Sequence, residues 1–101
     1  MAEIEFYRGG ATLPVRDRDI RVNKFTGFLE TDRGVSVSSD SRGLDQFGGA
    51  FRVTRVPADL KIVQVVARPH HHEIVPARPM TRDDYERALG KIILVPVESG
   101  G

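Results

Sequence analysis

The sequence predicts a single α+β domain built on antiparallel strands, on the strength of three observations. Short runs rich in β-branched residues recur along the chain, with residues 61–67 (KIVQVVA) the clearest. One segment, opening at Thr81, carries full helix punctuation. Strand-like and helix-like stretches are not regularly interleaved, which argues against a doubly wound parallel sheet. At 101 residues the chain suits one domain, residues 1–101, and leaves no room for two.

Each element has its own signal. Residues 3–8 alternate acidic and apolar side chains and read as a half-buried first strand ending at Gly9-Gly10. Residues 20–22 and 28–30 flank Asn23-Lys24-Phe25-Thr26-Gly27, which suits a short hairpin with Gly27 in the left-handed position. Residues 35–38 alternate Val and Ser, giving a strand with one apolar and one hydroxylated face. Ser39 or Asp40 is placed to cap a short helix running to Gln46, weakened by Gly43. Residues 51–55 read as a strand stopped by Pro57, and residues 71–75 as another between Pro69 and Pro76. For the helix, Thr81 is the N-cap, Asp84 is N3, Met80 is set to staple against Tyr85, and Gly90 closes it as C′. Residues 91–97 form a last strand, placed near an edge by Pro96.

Composition excludes several classes. Fifteen Lys and Arg against 14 Asp and Glu give a net charge of +1, so no polycationic field supports nucleic-acid binding. With no cysteine, disulfide and thiolate chemistry are impossible. The first residues, MAEIEFYRGG, lack the basic and apolar regions of a signal peptide. No apolar run approaches the roughly 18 residues that a membrane-spanning helix needs, so no membrane partner is expected.

Four places carry polar residues that strand geometry would gather. In Tyr7-Arg8-Gly9-Gly10 an arginine ends a strand before a flexible turn; its planar fork of donors suits phosphate, although a surface arginine before a turn is commonplace. In Gly34-Val35-Ser36-Val37-Ser38 the two serines share a face, either for solvation or so that Ser36 braces a ligand or a carboxylate. In His70-His71-His72-Glu73, His71 and Glu73 point to one side of a strand and the other two histidines to the opposite side. That spacing does not gather three metal ligands, so no metal site is expected; an acid and an imidazole acting on one ligand in a polar cleft fit better. Asp83, Asp84 and Glu86 at the helix start favour the macrodipole and call for no further role.

Several segments together resemble a known family. They are Phe6-Tyr7-Arg8, Gly34-Val35-Ser36-Val37, the run from Phe47 to Val53, the run from Val56 to Ile62, and the run from His71 to Met80 with its spaced prolines. In this order they resemble the small type VI secretion effector toxins with an ADP-ribosyltransferase-like fold, and related short bacterial proteins. The resemblance implies two small antiparallel sheets packed at an angle, with one clear C-terminal helix and a cleft for NAD between the sheets. It implies a cofactor-binding set of Tyr7, Arg8, Gly34, Ser36 and His71, in which Arg8 holds a dinucleotide phosphate and Ser36 is the serine of a Gly-x-Ser motif. It implies a catalytic set of Glu73, His71 and Ser36, with Glu73 stabilising positive charge as nicotinamide leaves.

Two departures accompany the resemblance. His72 stands at a position that is aromatic in those toxins, which removes a candidate for stacking on nicotinamide. Residues 10–33 read as a charged loop (Arg16, Asp17, Arg18, Asp19) and a hairpin where such transferases carry a helix, which implies a shallower cleft. The expectation is therefore a toxin that transfers ADP-ribose from NAD to a macromolecular acceptor or hydrolyses NAD. It would be made in the producer's cytoplasm, delivered into the cytoplasm of a target cell and recognised by a cognate immunity protein. The alternative is a non-catalytic binding module of the same fold.

Overall fold

Alternation of buried and half-buried residues over residues 35–38 and 71–74 gives the sheet of this chain one covered face. The structure, a computed structural model, describes residues 5–42, 49–65 and 67–97. Its strands are β1 (Tyr7–Gly9), β2 (Val35–Ser38), β3 (Ala50–Thr54), β4 (Leu60–Gln64), β5 (His71–Pro76) and β6 (Ile93–Pro96). Among the described residues one α-helix, α1 (Arg82–Leu89), precedes β6, and one 3₁₀ turn spans Asp17–Asp19. All strand pairs are antiparallel, in the order β4-β5-β2-β1-β3-β6.

The two sheets expected from the resemblance are thus corrected to one six-stranded sheet. The reason is a rung between Tyr7 and Ser38 that joins β1 to β2. That seam is thin. It holds one rung, whereas β1 and β3 share three and β2 and β5 share four. The halves β4-β5-β2 and β1-β3-β6 meet there and nowhere else in the strand order.

In β2, Val35 and Val37 are buried while Ser36 and Ser38 are half-buried on the opposite face, as the alternation requires. Across the rungs Val35 meets Ile74 and Val37 meets His72, so β5 continues the covered face. Phe6 packs edge-on against His72, with ring centroids 4.8 Å apart. Helix α1 adds Tyr85, Ala88 and Leu89 to the same apolar cluster, together with Ile20, Leu29 and Met80. Its start follows the sequence: Thr81 accepts the Asp84 N–H through Oγ1 at 3.1 Å, and Met80 and Tyr85 are both fully buried. Its end is tighter than expected. Gly90 is the C-cap at φ −64° instead of a left-handed C′, because its N–H still reaches the Glu86 carbonyl.

The loops hold fewer surprises. The hairpin forms around a Val22–Leu29 bridge with Gly27 at φ 76°, and the Asn23 Oδ1 accepts the Phe25 and Thr26 N–H groups. Strand β4 stops at Gln64, since the Val65 and His71 backbones close the turn that contains Pro69. β6 lies at the sheet edge, where Pro96 faces Phe51. Most of the short helix expected to run to Gln46, and the start of the first strand, lie outside the described residues.

One joint ties helix to sheet. The Tyr85 hydroxyl accepts the Val35 N–H at 2.9 Å and donates to the Ile74 carbonyl at 2.5 Å, bridging the two residues that face each other across β2 and β5. Next to it, a Cβ on Gly34 would stand 1.7 Å from the Ile74 oxygen and 2.6 Å from the Tyr85 hydroxyl. Gly34→Ala is therefore expected to cost several kcal/mol and to prevent folding near room temperature. Tyr85→Phe leaves a buried N–H and C=O unpaired and should cost about 1–3 kcal/mol in urea denaturation. Burial, the largest effect on this phenol, pushes its pKa up to about 12 from 10.0. The unfolded chain therefore loses this proton first. The tyrosine's contribution is complete below pH 10 and should decline by roughly 2–3 kcal/mol between pH 10 and 12. Chemical denaturation across that window should show the decline in the wild type and its absence in Tyr85→Phe.

Candidate functional site

Where β1 and β2 part beyond the Tyr7–Ser38 rung, the backbone leaves an opening. A side chain spans it: the Arg8 Nη1 donates to the Ser36 carbonyl at 2.8 Å. Gly9 and Gly10, the latter at φ 95°, then turn the chain away, and Gly10 bonds the Gly49 carbonyl instead. The result is a cleft of about 620 Å³, within the range of roughly 300–1,000 Å³ usual for small-molecule sites.

Of the five residues in the cofactor-binding set that the resemblance implies, Tyr7, Arg8, Ser36 and His71 line this cleft. Ser36 Oγ lies 3.3 Å from His71 Nε2, a diagonal contact between β2 and β5. Arg8 is half-buried, and its buried Nε has no hydrogen-bond partner. Loss of water around the guanidinium lowers its pKa, while the nearby Asp19 raises it and Arg16 lowers it. A cation stripped of water in this way gains from an anion placed against it.

Gly34 and Glu73 sit beside the cleft and are not among its lining residues. Gly34 is buried under the Ile74 carbonyl, and its N–H donates to Glu73 Oε1 at 3.0 Å. The other carboxylate oxygen, Oε2, is 3.8 Å from His71 Nε2. Glu73 also faces Ser36 directly across a rung, so Ser36, His71 and Glu73 form a polar group on the uncovered face. They do not form a proton relay of the serine-hydrolase kind. Ser36 and Glu73 both approach Nε2, whereas such a relay needs the acid on one ring nitrogen and the hydroxyl on the other.

The three histidines diverge. His70 Nδ1 meets Ser39 Oγ on the surface, His71 faces the cleft, and His72 is buried against Phe6. Among the described residues, no group of three His, Asp or Glu side chains is gathered as for a metal ion. None of the described helices is long and apolar enough to cross a membrane.

The charged loop after β1 supplies a wall that sequence reasoning did not assign. Thr12, Pro14, Arg16, Arg18 and Asp19 all line the cleft. The available signal was the alternation of Arg16 and Arg18 along the loop. The 3₁₀ turn is fixed by backbone bonds from Asp19 to Arg16 and from Ile20 to Asp17, and by Asp19 Oδ2 accepting the Arg16 N–H.

No protein-family model, no curated protein and no solved structure matches the chain.

The dual position of Glu73 yields a prediction. Glu73→Gln keeps an oxygen for the Gly34 N–H and should change stability by less than about 1 kcal/mol, whereas Glu73→Ala should cost about 1–3 kcal/mol. Thermal denaturation of the two variants checks the difference.

Proposed function

We propose that the cleft binds NAD as substrate and that the chain is an ADP-ribosyltransferase-like bacterial toxin, transferring ADP-ribose or hydrolysing NAD. One observation carries this reading: Arg8, Ser36 and His71, from three different strands, converge on one cleft at the seam of the sheet.

The residues present suit a dinucleotide. Arg8 has a buried, unpartnered Nε and a desolvated positive charge, and it would hold the pyrophosphate. Tyr7 lines the wall beside it. Ser36 and His71 would orient the nicotinamide ribose through their hydroxyl and imidazole. When bound, NAD would supply the nicotinamide–ribose bond that the reaction breaks. Glu73 would place negative charge near that ribose through Oε2, the oxygen not bonded to Gly34. Type VI delivery, a macromolecular acceptor and an immunity protein belong to the same proposal and rest on the resemblance.

A specific observation favours the second reading, a binding module without turnover. Glu73 already serves the Gly34 N–H and stands outside the cleft lining.

Nicotinamide release from NAD, with and without bacterial lysate, separates the two. The enzyme should release nicotinamide and lose about 10²–10³-fold in rate on Glu73→Gln, while Arg8→Gln should weaken NAD binding at least about tenfold. NAD binding without release would establish the binding module. Absence of both nicotinamide release and calorimetric NAD binding would overturn the proposal.

A further inference from the structure

The cleft has cations on two walls. Arg8 projects from β1, whereas Arg16 and Arg18 belong to the loop that follows it, on either side of Asp17. Against these three guanidinium groups the cleft lining offers one carboxylate, Asp19, whose Oδ2 already accepts the Arg16 N–H at 2.9 Å. A pyrophosphate placed on Arg8 leaves the loop arginines facing the cleft without an anion from the ligand.

The loop is held in place from outside. Arg82, the first residue of α1, donates through Nη1 to Asp17 Oδ1 at 2.6 Å and through Nη2 to the Val15 carbonyl at 3.0 Å. The Arg82 Nε also lies 3.5 Å from Glu86 Oε1, one turn along the helix. Arg82 thus grips the loop at both Val15 and Asp17, around Arg16 and just before Arg18. Ordering these residues in advance lowers the entropy lost when arginine closes on an anion. This anchoring is what distinguishes the loop from a freely moving basic tail.

Resting on the reading of the cleft as a dinucleotide site, we infer that Arg16 and Arg18 form a second phosphate-binding wall. The cleft therefore prefers a dinucleotide carrying an additional ribose phosphate, NADP, over NAD. Arg8 takes the pyrophosphate and the loop takes the additional phosphate. Arg82 is a positioning residue that acts through the loop.

Calorimetric titration of the full chain with NAD and with NADP, at low and at physiological salt, tests this. NADP should bind about tenfold more tightly at low salt, a difference of 1.4 kcal/mol, and the advantage should shrink as salt rises. Arg16→Gln and Arg18→Gln should each bring the NADP-to-NAD affinity ratio towards one. Arg82→Gln, which leaves every cleft arginine in place, should lower the same ratio part of the way. Circular dichroism melts confirm that each variant is folded, and the ratio compares two ligands on one protein sample. Equal affinity for the two dinucleotides in the wild type overturns the inference and leaves the dinucleotide reading standing. A preference unchanged in both loop variants also overturns it. If neither dinucleotide binds, the reading of the cleft and the inference fall together.

Discussion

The bridge made by the Tyr85 hydroxyl is the contact on which the rest of this small protein depends. A domain of about 100 residues buries a modest core, and a single helix covering a sheet has limited apolar area to hold it in place. Tyr85 adds direction to that packing. Its hydroxyl is both acceptor and donor, so it satisfies Val35 and Ile74 at once and fixes the helix against one rung of the sheet. The close approach requires a neighbour with no side chain, and Gly34 is that neighbour. Breaking any of the three parts leaves polar backbone buried without partners.

The same joint sets the chemistry on the opposite face. Gly34 directs its N–H at Glu73, and Glu73 in turn stands beside His71 and across from Ser36. The position of the carboxylate is therefore decided by how closely β2 and β5 pack at Tyr85. Stability and site geometry share residues here, which is why the isosteric Glu73→Gln separates charge from support and Glu73→Ala does not. The cleft itself has a different origin. It arises because β1 and β2 share one rung and then separate, with Arg8 spanning the gap to the Ser36 carbonyl.

Much of the fold was legible because local signals agreed with tertiary packing. The Val–Ser alternation of β2, the Gly27 hairpin, the Thr81 cap and the burial of Met80 and Tyr85 all appear where the residues place them. The sheet count was not legible, since one rung between Tyr7 and Ser38 decides it and neither residue announces a partner. The role of Gly34 was similarly hidden: its need for close approach comes from the Ile74 carbonyl and the Tyr85 hydroxyl, both distant in sequence, and no local turn reveals it. Of the residues lining the cleft, Ser36 and His71 were legible because alternation turns them to the same face of β2 and β5, and Arg8 because it stands near a strand end before two glycines. The loop wall was missed as a wall because Arg16 and Arg18 resemble any solvated charged loop until Arg82 is seen holding it.

The proposed ligand site is the seam between β1 and β2. The most direct measurement is an amide NMR titration of the ¹⁵N-labelled chain with NAD. The account predicts shifts concentrated at Arg8, Gly9, Gly10, Ser36 and His71, with the outer face of α1 around Asp83 and Arg87 unmoved. Shifts confined to other surfaces, or no shifts at millimolar NAD, would contradict it.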